Sequence, residues 1–181
     1  VDCVACHLDG ATIRTATPPS VAGRAAHDLR HDPTLPDEAC GACHEFPFQM
    51  HTPPWPFALG TTPAQATVTE WRASAAATVG TSCADCHMAE HGHAFGGPHT
   101  PGFVAAALTV RAERARGTAR LTLTAAAGHH VPTGDPFRRL VVQLCRDAAC
   151  TEPVAERVLK RIHRPDEASW RLAEDRTLRP A

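Results

Sequence analysis

Three copies of one pentapeptide carry the residue types and the spacing that could do chemistry. Each copy has two cysteines separated by two residues and followed directly by a histidine, at residues 3–7, 40–44 and 83–87. This C-x-x-C-H pattern is the attachment signature of c-type haem. The two thiols form thioethers with the two vinyl groups of the porphyrin, and the histidine supplies the proximal nitrogen to the iron. The sequence therefore predicts three covalently bound haem c groups.

The predicted attachment residues are six of the eight cysteines: Cys3, Cys6, Cys40, Cys43, Cys83 and Cys86. The predicted proximal ligands are His7, His44 and His87. Paired cysteines can also hold structural zinc, and a C-x-x-C pair can be a redox-active dithiol. Haem is favoured because zinc does not need a histidine after every pair, and three pairs are an odd number for tetrathiolate sites.

A low-spin haem iron needs a sixth ligand, which is commonly histidine or methionine. Of the two methionines, Met88 directly follows a proximal histidine and is poorly placed to reach a different iron. Bis-histidine ligation of all three irons is therefore predicted, with reduction potentials below those of histidine–methionine cytochromes. The favoured distal candidates are His27, His93, His99 and His129. Because three irons take at most three distal ligands, at least one of the four is not a ligand if every iron has one.

Four other histidines are less favoured as ligands, because a surface side chain or a partner of a haem propionate is the commoner role: His31, His51, His91 and His130. His129, one of the four favoured candidates, lies in the sequence GHHVPTG at residues 128–134. A rigid Gly/Pro turn of this kind between two strands can hold an imidazole against the edge of a haem.

Composition bounds the fold and its partners. The 181 residues suggest one domain or two small ones, and the net charge of −1 gives no indication of a nucleic-acid partner. Sixteen prolines and the absence of tyrosine make a poor composition for a self-sufficient core. We expect the haems to supply much of the core of the first half, and the chain without them to be largely unfolded there.

The two remaining cysteines, Cys145 and Cys150, flank four residues between apolar runs. A disulfide that closes a short turn is predicted, and such a bond needs an oxidising compartment. Thioether attachment of haem also takes place outside the cytoplasm, so a periplasmic or extracellular location is expected. No signal peptide or membrane-spanning apolar run is recognisable, and we expect that a leader has been removed, since the first cysteine is at position 3.

The predicted fold class is α+β, with residues 1–103 forming a loop-rich trihaem segment with short helices and residues 104–181 forming a small β domain. One longer helix is predicted over residues 63–77, with Thr62 as N-cap and Pro63 at the first helical position. Period-two alternation after residues 108, 121 and 140 predicts antiparallel strands in a small sheet or half-sandwich. Residues 154–162 fit a strand or a helix, and residues 177–181 contain no evident final strand.

Three stretches make the chain similar to bacterial multihaem c-type cytochromes: residues 67–74 (TVTEWRAS), 86–99 (CHM followed by HAFGGPH) and 128–135 (GHHVPTGD). The resemblance extends from about residue 3 to residue 178. It implies a haem-bearing segment before a small β domain, and it supports the four favoured distal candidates because they match recurring histidines. It says little about physiological partners. Such proteins often have further haem motifs upstream and further strands downstream, so a short or processed member is expected.

The favoured function is electron transfer without catalysis, by a soluble shuttle, a subunit of a larger respiratory or photosynthetic complex, or a unit of an extracellular cytochrome polymer. The expected partners are redox proteins or such a complex.

The alternative is an oxidoreductase acting on a small nitrogen or sulfur oxyanion at an open haem, near Arg138 and Arg139. The single lysine, Lys160, and the lack of tyrosine remove two features typical of such enzymes. A third interpretation makes the β part a docking module with an unpaired edge strand.

Overall fold

The computed structural model describes residues 2–19, 26–51 and 58–180. Its N-terminal part contains helix α1 (Cys3–His7), strands β1 (Leu8–Asp9), β2 (Thr12–Thr15) and β3 (Asp28–His31), and helix α2 (Leu35–His44). The three strands form one small sheet, in which β2 pairs antiparallel with β1 and parallel with β3. Asp2 caps α1 by accepting a hydrogen bond from the Ala5 N–H at 3.1 Å.

The middle part contains β4 (Glu45–Gln49), β5 (Leu59–Ala66), α3 (Thr67–Arg72), α4 (Ala75–Thr78) and α5 (Cys83–His87). Strands β4 and β5 form an antiparallel pair. Ser82 and Asp85 form a capping box at the start of α5, so the third motif begins its own helix. Each C-x-x-C-H motif is therefore carried by a short helix, as the sequence predicted.

The prediction of one helix over residues 63–77 is wrong. Thr62 and Pro63 lie in β5, where Pro63 pairs with Pro47 in a two-stranded sheet that tolerates the missing proline N–H. The helix begins only at Thr67, because the Glu45 carboxylate accepts hydrogen bonds from the backbone N–H groups of Val68 and Thr69, both at 3.1 Å. It ends at Arg72, and α4 follows as a separate turn.

The C-terminal part contains α6 (Phe103–Ala106) and strands β6 (Leu108–Ala115), β7 (Thr118–Ala125), β8 (Leu140–Cys145), β9 (Pro153–Leu159), β10 (Arg161–Asp166) and β11 (Ser169–Asp175). Successive strands pair into three antiparallel hairpins, β6–β7, β8–β9 and β10–β11. The α+β class with small antiparallel sheets is confirmed. The ambiguous residues 154–162 belong to two strands that meet at Lys160.

The end of the chain is paired more than its sequence suggested. Leu178 and Val131 form an antiparallel bridge, with backbone hydrogen bonds of 2.9 and 2.8 Å between them, and Pro180 bridges Ala125. These bridges fasten residues 176–180 beside the turn at residues 128–134. The Phe48 and Trp170 rings also stack, with centroids 5.5 Å apart. Contacts therefore cross the domain boundary expected between residues 103 and 104, and that division stays a prediction.

Apolar burial is sparse for a chain of this size. The hydrophobic core among the described residues consists of Leu35, Ala64, Val68 and Ala125. The accessible surface is 12675 Å², whereas a folded monomer of 19.3 kDa is expected to expose about 8,500 Å². Among the described residues, fourteen large hydrophobic side chains are exposed, including Val110 and Leu121 of the β6–β7 hairpin. Packing of protein against protein thus leaves many apolar side chains of this part of the chain uncovered.

A disulfide joins Cys145, at the end of β8, to Cys150 in the loop before β9, with Cα atoms 5.1 Å apart. We expect the double substitution Cys145→Ala/Cys150→Ala to lower the free energy of unfolding by ~2 kcal/mol, because a loop this short loses only modest entropy when it is cross-linked. Urea denaturation of the haem-loaded protein measures the difference. An unchanged midpoint would mean that the hairpin hydrogen bonds alone define the turn.

No helix in the described ranges is long and apolar enough to cross a membrane.

Candidate haem-binding sites

The motif helices leave their cysteines accessible. All six motif cysteines are free thiols, and each is exposed or partly exposed. On a helix of one to three turns, the two-residue spacer places both sulfurs of a pair near the same side. The geometry suits covalent attachment of a planar group that approaches each helix from outside, which is what thioether formation to haem requires.

The three motif histidines have their Nδ1 atoms occupied in the same way. His7 Nδ1 lies 2.9 Å from the Arg14 carbonyl oxygen, and His87 Nδ1 lies 2.6 Å from the Gly96 carbonyl oxygen. His44 Nδ1 lies 3.2 Å from Oε1 of Gln65. An oxygen acceptor requires that Nδ1 carries the proton, which leaves the Nε2 lone pair free. A neutral imidazole oriented by such a partner is the usual form of a metal-binding histidine.

Two of these histidines face a second imidazole. The ring centroids of His7 and His93 are 6.1 Å apart, and those of His87 and His129 are 6.0 Å apart with an interplanar angle of 17°. Two imidazoles on opposite sides of one metal have ring centres ~6 Å apart when each metal–nitrogen distance is near 2 Å. Both pairs therefore have the spacing of axial ligands around a single iron.

His129 matches the motif histidines in its own hydrogen bonding. Its Nδ1 lies 2.9 Å from the carbonyl oxygen of His130, which again leaves Nε2 free. Burial lowers the pKa of His129, so the neutral form needed for ligation is favoured. That the GHHVPTG turn holds His129 against a haem stays a prediction.

In two of the less favoured histidines, His31 and His130, hydrogen bonding leaves no lone pair on Nε2 for a metal. His31 Nε2 lies 3.2 Å from the Ala16 carbonyl oxygen. His130 Nδ1 lies 3.1 Å from Nη2 of Arg161, which can only donate. His130 therefore carries its proton on Nε2 and is unsuited to bind a metal through that atom.

The remaining candidates have no facing motif histidine. Among the residues with described positions, no aromatic contact joins His27 or His99 to His7, His44 or His87, and both candidates are exposed. His91 contacts Phe103, with centroids 6.0 Å apart, and His51 is exposed. The assignment of a distal ligand opposite His44 stays a prediction.

The second and third motifs come into contact. Helix α2, which carries the second motif, contacts α5, which carries the third. Asp37 of α2 accepts a hydrogen bond from the Cys83 backbone N–H at 3.1 Å. Helix α2 also contacts α1, so the helix of the second motif contacts the helices of both other motifs.

Several residues that complete these sites were not singled out in the sequence. Arg14, Gln65 and Gly96 supply the oxygen acceptors for the three proximal histidines. A sequence signal existed only for Gly96, in the Gly-Gly-Pro stretch after the third motif. A Cβ at this position would clash with the His91 ring and lie 2.7 Å from Cε2 of Phe103. Only glycine allows this close approach.

We expect Gly96→Ala to lower the free energy of unfolding by ~1–3 kcal/mol, because the added methyl overpacks the contact with His91 and Phe103. It should also shift the reduction potential of the haem bound by His87, whose Nδ1 partner is the Gly96 carbonyl. Gly97→Ala is the matched control, since a Cβ there meets nothing within 4 Å. Urea denaturation and potentiometric titration of both variants measure the two effects. If Gly96→Ala and Gly97→Ala had the same free energy of unfolding and the same potentials, the proposed packing and orienting role of Gly96 would be refuted.

No protein-family model matches the chain, and no curated protein does so either. Its structure is similar to the crystal structure of a penta-heme cytochrome c552 from Thermochromatium tepidum, with a TM-score of 0.61 over 86% of this chain. The chain has the fold of a multihaem c-type cytochrome. The two sequences are 20% identical, and this chain spans 45% of the length of that cytochrome.

Proposed function

We propose that the chain is a trihaem c-type cytochrome that transfers electrons through closely spaced haems. The observation that carries the proposal is the shared state of the three motif histidines, each with Nδ1 on an oxygen acceptor and Nε2 free. The two facing imidazole pairs, His7 with His93 and His87 with His129, support bis-histidine ligation of the first and third irons.

The residues that would hold the haems have distinct roles. Thioethers at the six motif cysteines fix each porphyrin, and the proximal histidines orient it. A bound haem iron supplies one-electron chemistry, and the protein determines its spacing, ligation and burial. Helix α2 contacts both α1 and α5, and His7 faces His93 in the segment that follows the third motif, so all three haems would lie close together.

The expected setting follows from this chemistry. Haem attachment through thioethers and the disulfide Cys145–Cys150 support a periplasmic or extracellular location. The expected partners are redox proteins, a larger membrane or extracellular electron-transfer complex, or further copies in a cytochrome polymer. Size-exclusion chromatography coupled to light scattering distinguishes a polymer unit from a monomeric shuttle.

A second candidate function is reduction or oxidation of a small nitrogen or sulfur oxyanion at the haem of the second motif. One observation favours it: within the described ranges, no imidazole faces the ring of His44 in the way that His93 faces His7. An iron without a distal side chain would be open to an exogenous ligand.

One experiment tests both candidates. Haem is quantified as its pyridine complex, and low-temperature electron paramagnetic resonance is recorded on the oxidised protein with and without nitrite or cyanide. Electron transfer predicts three haems per chain and only low-spin iron that does not respond to either anion. A high-spin signal from one third of the iron that shifts on addition of an anion would establish the open site. Fewer than three haems would contradict the proposal itself.

A further inference from the structure

Glu70 is a buried carboxylate that contacts the turn after His129 with one oxygen and Arg161 with the other. Its side chain is 5% exposed. Oε2 accepts hydrogen bonds from the His130 backbone N–H at 3.0 Å and from the Thr133 hydroxyl at 2.7 Å. Oε1 pairs with the Arg161 guanidinium. Helix α3 is therefore tied through one side chain to both ends of the segment that follows His129.

Further contacts press the same turn against the helices. The Thr67 and Thr133 hydroxyl oxygens are 2.9 Å apart. A Cβ built on Gly128 would lie 3.4 Å from Cδ1 of Trp71 and 3.1 Å from Cβ of Ala76. The residue before His129 thus lies directly on α3 and α4. The turn cannot move away from the helices without breaking contacts on both sides of His129.

The opposite side of the turn is held by the last hairpin. Arg161, at the start of β10, donates from Nη2 to His130 Nδ1 at 3.1 Å, and its Nε lies 3.4 Å from Oδ2 of Asp175. The Thr177 hydroxyl oxygen lies 3.0 Å from the same His130 nitrogen. His130 is therefore fixed toward the C-terminal hairpin. Its neighbour His129 is left to face His87, with ring centroids 6.0 Å apart.

We propose that Glu70 and Arg161 are positioning residues that hold His129 at the axial position opposite His87. This inference rests on the proposed function, because it takes His129 to be a haem ligand. Neither residue touches the His129 ring. Both act through His130, Thr133 and the backbone between them.

The pair suits this role for a physical reason. Without the carboxylate, the His130 N–H and the Thr133 hydroxyl lose their acceptor, and Arg161 is left as a buried charge without its main partner. The turn can then satisfy these groups only by moving toward water. Because His129 follows Gly128 and precedes His130 in that turn, its imidazole is displaced from the iron by the same movement.

The test uses the haem-loaded protein with Glu70→Ala. We expect about one third of the iron to become high-spin in electron paramagnetic resonance, and added imidazole to restore the low-spin signal. The midpoint potential of that haem should rise, because a strong nitrogen donor is lost. Glu70→Gln keeps one acceptor oxygen for the turn, so a smaller high-spin fraction is expected. If Glu70→Ala does not accumulate in folded form, the high-spin fraction of Glu70→Gln tests the proposal instead.

Glu45→Ala is the matched control. The Glu45 carboxylate caps the start of the same helix, through the N–H groups of Val68 and Thr69, without contacting the turn. It should lower stability while the iron bound by His87 keeps its wild-type spin state and potential. A high-spin fraction equal to that of Glu70→Ala would mean that any loosening of α3 releases the ligand, which overturns the positioning role.

The variant His129→Ala separates the two levels of inference. If it converts one iron to high-spin while folded Glu70→Ala and Glu70→Gln keep wild-type spectra and potentials, the positioning role is refuted and the ligation stands. If His129→Ala leaves every iron low-spin, the ligation itself is refuted, and the role of Glu70 falls with it.

Discussion

Replacing the six motif cysteines with alanine is expected to abolish cooperative unfolding of the chain. Leu35 and Val68 each contribute ~1.5–3 kcal/mol by burial, and the two buried alanines contribute less. Ordering the backbone costs ~1–2 kcal/mol per residue. Protein-to-protein burial on this scale does not offset that cost over the described residues, so in the proposed trihaem protein the haems would supply the missing apolar contacts.

Circular dichroism during heating measures this effect. The haem-loaded wild-type protein should unfold in a sharp transition, and the six-alanine variant should show a broad, featureless change. Cys145→Ala/Cys150→Ala, which removes two cysteines without touching a motif, is the control and should keep a sharp transition. A sharp transition in the six-alanine variant would show that the protein has a sufficient core of its own.

Replacing His93 or His129 with alanine is expected to convert two different irons from low-spin to high-spin. The two residues face different proximal histidines, His7 and His87, at nearly equal centroid separations. Each single variant should therefore turn about one third of the iron high-spin, and the double variant about two thirds. Since the two sites share no ligand, their effects should add.

Electron paramagnetic resonance and potentiometric titration measure these changes. His27→Ala and His99→Ala serve as controls for the imidazole pairs, because neither residue contacts His7 or His87 in the described part of the chain. A high-spin signal in either control that matches those of His93→Ala or His129→Ala would reassign the ligands. Saturation of the double variant at one third would place both histidines on the same iron.

Local features of this fold could be predicted from the sequence, because their causes lie within a few residues. Helices α1 and α5 have side-chain caps, Asp2 and Ser82, directly before their first cysteine, and the turn between Cys145 and Cys150 is closed by its own disulfide. The predicted helix over residues 63–77 is wrong because Thr62 and Pro63 lie in β5, and no local signal indicates that this strand pairs with the distant strand β4.

Features that join distant parts of the chain could not be predicted. The Glu70–Arg161 pair links residues 91 positions apart, and nothing in either local sequence indicates the other. The four distal candidates could be named from their positions and from the resemblance to multihaem cytochromes, but the proposed preference for His93 and His129 over His27 and His99 depends on which rings the fold brings together. Gly96 could be noticed as an unusual glycine, but its carbonyl contact with His87 depends on the conformation of residues 92–97.

The pairing of His7 with His93 gives the proposed iron bonds a second role as cross-links. An iron held by both residues closes a loop of 86 residues (93 − 7), and one held by His87 and His129 closes a loop of 42 (129 − 87). In a chain-entropy model, closing loops of these lengths lowers the entropy of the unfolded chain by the equivalent of ~4–5 kcal/mol each. Axial ligation would thus restrict the unfolded chain as two disulfides do. Unlike a disulfide, an iron–nitrogen bond varies in strength with the oxidation state of the iron. The conformational stability of the protein would therefore depend on the redox state of its haems.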